Sequence, residues 1–298
     1  MQISKAQEAE QMLTFSKMTG IGNDYIYVNC FQETVVNPEK LSIFMSDVRF
    51  GVGSDGLVLI LPSEMADFRM RIFNADGSEA MMCGNATRCI GKYVYDMGMT
   101  DKTEISLETN SGIKYLTLYP GEDGKIESVK VDMGKAILVP HDIPVDSALE
   151  RFIAQPVEVA GKTYEMTCVS MGNPHAIVFL PEVNSLDLEK IGPSFEHHVL
   201  FPNRVNTEFV RVINDHELQM RVWERGSGET FACGTGACAT AVAAVLNGYC
   251  KKGEEILIHL RGGDLRIIYH EDENVTMIGP ATYVFEGKIN VPVSCRTL

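Results

Sequence analysis

Two cysteines, Cys83 in MMCGNATRCIGKYVYDMG and Cys233 in FACGTGACATAVAAVLNG, each stand immediately before a glycine at the predicted start of a helix. At a helix start, free backbone N–H groups and the positive end of the macrodipole favour an anion. A cysteine so placed is expected to have a lowered pKa and a usable thiolate fraction. The glycine after it lets a ligand approach the backbone closely, and the same N–H groups can hold a carboxylate. Two such sites on opposite walls of one cleft would grip a carboxylate and flank its α-carbon with a thiol on each side. One thiolate would remove the α-proton while the other thiol returned a proton to the opposite face, inverting the centre. The α-hydrogen of an amino acid lies more than about ten pKa units above a thiol, a gap of more than ~14 kcal/mol. Preorganised donors around the carboxylate and exclusion of water must then supply the stabilisation. A lone cysteine of this kind is usually a small packing residue, and a Gly-rich helix start can also cup a phosphate, including that of pyridoxal phosphate. Neither alternative predicts a second copy.

The second copy lies at a fixed offset. Residues 71–98 overlay 221–248 without a gap, 150 residues apart, matching Arg71 with Arg221, Glu79 with Glu229, Cys83-Gly84 with Cys233-Gly234 and Gly98 with Gly248. Gly22-Asn23 meets Gly172-Asn173 at the same offset. The reading is an internal duplication, two similar units presenting equivalent loops to a shared cleft. Each unit is strand-rich: YIYVNCF, GLVLIL, FRMRIFN, EISLET, IKYLTLY and IESVKVDM in the first, TYEMTCVSM, HAIVFL, TEFVRVI, LQMRVWE, EILIHL, LRIIYH and VTMIG in the second. Each has one prominent helix. In the first, Ala86, Ile90, Tyr93, Val94 and Met97 fall at helical spacing with Arg88, Lys92 and Asp96 on a polar stripe; the second is apolar nearly all round and so buried. Gly98 and Gly248 read as helix stops, and VPHDIPVD at 139–146 as a crossing segment. The fold class is therefore α+β: two pseudo-symmetric, internally duplicated domains, each wrapped around a central helix, with the site between them.

Composition narrows the partners. The 298 residues suffice for two domains, and 45% hydrophobic with 22% charged residues describes a soluble globular chain. A formal charge of −14 argues against nucleic acid, whose binders show a basic face. The N-terminal MQISKAQEAEQM lacks the apolar stretch of a signal peptide. The longest apolar run, 239–246, is far short of the ~20 residues that span a bilayer, so no membrane partner and a cytoplasmic location are expected. The eight cysteines do not follow a disulfide scaffold, and no His/Cys pattern offers zinc spacing. Cys30, Cys89, Cys168, Cys238, Cys250 and Cys295 read as packing residues, and the EHH at 196–198 as a solvated loop.

The motifs MTGIGNDY (18–25), FNADGSEAMMCGNATRC (73–89), SMGNPHAIVF (170–179), RVNTEF (204–209), WERGSGETFACGTGACA (223–239) and GPATYVFEG (279–287) resemble those of the diaminopimelate epimerases over nearly the whole chain. The resemblance implies conversion of LL-diaminopimelate to the meso isomer, on the route to lysine and peptidoglycan, without pyridoxal phosphate or a metal. It implies that Cys83 and Cys233 are the acid–base pair. Gly84, Asn85, Gly234 and Thr235 would contact the reacting carboxylate, while Asn23, Asn74, Asn173, Asn206, Glu224 and Arg225 would bind the rest of this small amino-acid substrate. Arg225 suits a distal carboxylate and Glu224 an ammonium; His175 and Glu224 would also tune the thiols. The resemblance places the boundaries at 13–131 plus 277–298 for the first domain and 132–276 for the second, with 1–12 as an extension, and leaves room for a homodimer. Three departures stand out: Gly56 where some relatives carry glutamine, with Asn206 its partner at offset 150; Ala86 in place of a glycine; and the extension itself. A proline or hydroxyproline racemase of the same two-thiol design, and a redox-responsive amino-acid-binding protein without chemistry, are the rival readings.

Overall fold

Alternating sequence becomes strand wherever every second side chain finds the interior: in FRMRIFN, Phe68, Met70 and Ile72 are buried while Arg69 and Arg71 are not. The computed structural model describes residues 11–296, so most of the expected extension lies outside the described residues, and Met12, expected within it, already belongs to the first strand. The first half runs β1 (Met12–Gly20), β2 (Asn23–Asn29), α1 (Pro38–Ser46), β3 (Gly56–Leu61), β4 (Phe68–Asn74), β5 (Glu79–Ala80), α2 (Gly84–Asp96), β6 (Glu104–Thr109), β7 (Gly112–Pro120) and β8 (Ile126–Lys135). After a short 3-10 turn come β9 (Gln155–Val159), β10 (Lys162–Ser170), β11 (Pro174–Phe179), α3 (Leu188–Glu196), β12 (Asn206–Asn214), β13 (Glu217–Glu224), β14 (Gly228–Glu229), α4 (Gly234–Leu246), β15 (Glu255–Leu260), β16 (Gly263–Tyr269), β17 (Asn274–Pro280) and β18 (Thr282–Asn290).

The duplication is now visible in the elements. β10, α3 and α4 reproduce β1, α1 and α2 at the same offset and the same lengths. Among the described residues each half carries a second, shorter α-helix beside the prominent one expected. The nine-residue α1 and α3 escaped the periodicity because they are short, and α3 holds an interior proline, Pro193. Pairings repeat as well: β2 runs parallel to β3 as β11 does to β12, and β4 parallel to β6 as β13 does to β15. The halves join where β8 pairs antiparallel with β17, Val129 opposite Gly279.

The sheets wrap α2 and α4, which share one continuous core. Apart from Thr235 at the cavity, α4 is buried until its last turn, as its composition requires. Both helices stop where Gly98 and Gly248 take positive φ, 68° and 76°. The polar stripe expected on α2 is only half right. Lys92 and Asp96 pair at 2.8 Å and grip β8, through the Ile126 carbonyl and amide respectively. Arg88, however, has no exposure at all. The expected solvated EHH loop also fails at Glu196, which is buried and accepts from the Trp223 indole at 2.8 Å. The chain's end, at Val291 and Cys295, packs with Leu13, Leu41 and Met45. No described helix is long and apolar enough to cross a membrane.

Candidate active site

Cys83 and Cys233 occupy equivalent positions, each the extended residue that precedes the first turn of its helix (φ −137° and −125°). The glycines behind them allow the two helix starts to converge. A Cβ on Gly84 would lie 2.7 Å from Met277 Cε, and one on Gly234 would lie 3.2 Å from Met277 Sδ and 3.5 Å from Asn85 Oδ1. Both cysteines consequently line one cavity of about 620 Å³, together with Gly84, Asn85, Gly234 and Thr235. Asn23, Asn173, Glu224 and Arg225 complete that lining. A second cavity of about 750 Å³ adjoins it, sharing Asn23, Tyr25, Glu224 and Arg225 and adding Asn74. A larger cavity, about 1020 Å³, opens at the far end of α2 beside Tyr93 and Tyr283 and touches neither thiol.

Polar contacts differ between the halves. On the first side, Cys83 Sγ lies 3.5 Å from Asn23 Oδ1, which also accepts from Asn85 Nδ2 at 3.2 Å; Asn23 Nδ2 donates to Asp55 Oδ2 at 2.6 Å. Asn74 donates to Ser78 Oγ at 3.0 Å, and Gly56 stands opposite it in register. On the second side, Asn173 Nδ2 donates to Thr235 Oγ1 at 3.3 Å, and that hydroxyl lies 3.6 Å from Cys233 Sγ. The Gly236 amide donates to the same sulfur at 3.3 Å. His175 stands behind Asn173 with Nε2 3.0 Å from Asn173 Oδ1 and Nδ1 2.7 Å from Glu208 Oε1. His175 and Asn206 line neither cavity. Asn206 is spent on the main chain, accepting from the Arg225 amide at 2.9 Å and donating to the Pro174 carbonyl at 3.0 Å.

The expectation of lowered thiol pKa values is overturned. Burial pushes Cys83 above the ordinary thiol value, against the pull of the Ala86 and Asn85 amides and the Arg88 cation. Cys233 is pushed well above it by burial and then by the Glu224 and Glu208 carboxylates, with Thr235 and the Gly236 amide opposing. Withdrawing a sulfur from water outweighs what a helix start returns. Burial also raises Glu224, which accepts from the Thr230 hydroxyl and lies against the Cys233 thiol. Although linear spacing offers no metal cluster, folding brings polar atoms of His175, Glu208 and Cys233 within 4.8 Å of one another; His175 and Glu208 are hydrogen-bonded to each other.

Sequence reasoning missed Glu208, the buried Arg88, and the cavity-lining Tyr25, Lys114 and Lys135. The offset held a signal for three of them: it sets Tyr25 against His175, Val58 against Glu208 and Arg88 against Cys238, three of the positions where the halves differ in polarity or charge.

Known proteins match this chain over most of its length. The family model described as diaminopimelate epimerase matches residues 15–139 and 167–284. The diaminopimelate epimerase of Acetivibrio thermocellus is 59% identical over 94% of this chain and 99% of its own length. That of Methanococcus maripaludis is 55% identical over 94% of this chain and 100% of its own. Among solved structures, a hydroxyproline epimerase from Agrobacterium vitis superposes with a TM-score of 0.69 at 14% identity, covering 94% of this chain and 93% of that one. A PhzF-family phenazine biosynthesis protein from Bacillus anthracis gives 0.67 at 17%, covering 94% and 100%; both are likenesses of fold. The duplicated fold, the paired Cys-Gly helix starts and the full-length identity have one reading: the chain belongs to the diaminopimelate epimerase family.

Proposed function

We propose that this chain epimerises LL-diaminopimelate to meso-diaminopimelate, with Cys83 and Cys233 as the two acid–base groups. The observation that carries the reading is the convergence of two thiols, each at a helix start, on one cavity. The reacting carboxylate sits against the first turns of α2 and α4, among the amides of Gly84, Asn85, Gly234 and Thr235. One sulfur, as thiolate, takes the α-proton; the other, as thiol, returns its own proton to the opposite face. The pair's single proton then sits on the sulfur that began as thiolate, and exchange with solvent resets it. His175 and Glu224 adjust Cys233, His175 by orienting Asn173 and Glu224 by accepting from the thiol.

A substrate with an amino-carboxylate at both ends accounts for the two adjoining cavities. The distal end lies toward Asn74 and Arg225, where Glu224 and Asn23 border both spaces. Asn206 acts from behind, by holding the Arg225 main chain. Chemistry by two free thiols needs a reducing compartment, which favours the cytoplasm. Reduced protein is offered LL-diaminopimelate and, separately, L-proline, with products separated on a chiral column. The meso isomer forms and proline is unchanged; reaction with proline alone would replace this reading with the racemase one.

A further inference from the structure

Arg88 lies in the second turn of α2, four residues after Gly84, and is fully enclosed. All its hydrogen-bond partners are neutral. Nε donates to the Pro280 carbonyl at 3.1 Å, Nη2 to Asn85 Oδ1 at 2.9 Å and Nη1 to the Gly84 carbonyl at 3.3 Å, with Met277 Sδ 3.4 Å away. The ionisable groups that act on it most are thiols and a phenol, Cys89, Cys83, Cys238 and Tyr27. A guanidinium does not shed its proton in a protein, and a buried charge without a counter-charge is costly. Its place makes the cost worse, because the N-terminal end of a helix repels cations. Room has been made for it nonetheless: a Cβ on Gly279 would crowd Leu265 and come within 3.1 Å of Arg88 Nε.

The partners of Arg88 point to where its counter-charge arrives. Gly84 and Asn85 line the cavity between the two cysteines. From Arg88 the donors run in one direction, to Asn85 Oδ1, from Asn85 Nδ2 to Asn23 Oδ1, and from Asn23 Nδ2 to the Asp55 carboxylate. This chain fixes both amide orientations and turns the NH₂ group of Asn85 toward Asn23 and the cavity. Lys114, Lys135 and Arg225 also line the cavity, but Lys135 and Arg225 are exposed and Lys114 is half-buried. Among the described residues Arg88 is the one fully buried Arg or Lys, and the equivalent residue on α4 is Cys238.

We propose that Arg88 is the built-in counter-charge for the carboxylate held at the start of α2, a positioning residue that acts through Asn85 and Gly84 without touching the substrate. The proposal rests on the reading of this cavity as an amino-acid site. When the α-carbon loses its proton, negative charge spreads into that carboxylate, and a fixed cation in a dry setting favours this state over the starting one.

Two variants test it in the full-length protein. Asn85→Asp puts a carboxylate beside the guanidinium. It raises the melting temperature, and this gain disappears in Asn85→Asp/Arg88→Met; kcat/KM for LL-diaminopimelate falls at least 100-fold. Arg88→Met lowers kcat at least 100-fold with a smaller change in KM, and Arg88→Lys recovers part of the loss. An unchanged or lowered melting temperature in Asn85→Asp overturns the proposal, and so does a folded Arg88→Met with wild-type kcat. Should Arg88→Met fail to fold, the Asn85→Asp melting temperature decides alone. A wild-type enzyme that does not epimerise diaminopimelate sinks the substrate assignment instead, and the melting comparison still reads the buried charge.

Discussion

His175 Nδ1 and Glu208 Oε1 lie 2.7 Å apart with neither side chain exposed. The other carboxylate oxygen, Glu208 Oε2, is buried without a hydrogen-bond partner. Such an arrangement is tolerated when the group it orients matters, and here the ring leads through Asn173 and Thr235 to Cys233.

Glu208→Gln keeps the shape and removes the charge. Glu208 is one of the groups that raise Cys233, so the pH at which Cys233 is alkylated moves down while that of Cys83 stays put. Turnover falls about tenfold or more, as when an imidazole loses the carboxylate that orients it. Peptide mapping after iodoacetamide labelling across pH reads the first effect. Parallel shifts of both cysteines would show that the carboxylate acts on the fold and not on one thiol.

Both site thiols are raised by burial. A raised value means the thiol keeps its proton through neutrality, and the thiolate appears only as pH climbs. Alkylation of substrate-free protein therefore accelerates above about pH 8.5, the free-cysteine value, with Cys233 lagging Cys83. A limb below that value for either cysteine would contradict the burial argument.

The same shifts act on stability. Burial raises Cys89 to about 11 and Cys238 to about 12, so the folded chain holds these protons more tightly than the unfolded chain does. Their contribution is intact below about pH 8.5 and is lost as pH rises through the folded values. The urea midpoint should be flat from pH 7 to 8 and fall from pH 9 to 11. A midpoint that rose over the alkaline range would refute this.

Gly236→Ala intrudes on the second site. The new Cβ would stand 2.5 Å from Glu208 Oε1 and 3.1 Å from Cys233 Sγ. Overpacking of this kind costs about 1–3 kcal/mol, and epimerisation falls with it. Urea unfolding and steady-state rates measure the two effects, and a neutral substitution would mean the histidine–carboxylate pair has slack.

Much of this molecule was legible before folding. The strands β3, β4 and β6 announce themselves by alternation or by short apolar runs, and the offset located both central helices after their Cys-Gly pairs. What escaped was what linear pattern does not encode. β1 and β18 pair across nearly the whole chain, Met12 opposite Asn290, and only the family resemblance, not pattern, sets 277–298 beside 13–131. Arg88 looked like one step of a polar stripe because helical periodicity treats a helix in isolation, whereas β17 closes over that face. The site itself was named from Cys83 and Cys233, but the lowered pKa values were not, because the sequence shows the helix start and hides the depth of burial.

If two sulfurs face one α-carbon, the hydrogen that arrives at the inverted centre is not the one that left. Reduced enzyme is given LL-diaminopimelate in heavy water and stopped at a few per cent conversion. Two bases predict meso product carrying solvent deuterium at the inverted carbon while unreacted LL substrate retains protium there. Meso product that keeps its original hydrogen would show a single base working both faces, and would contradict the pairing of Cys83 with Cys233.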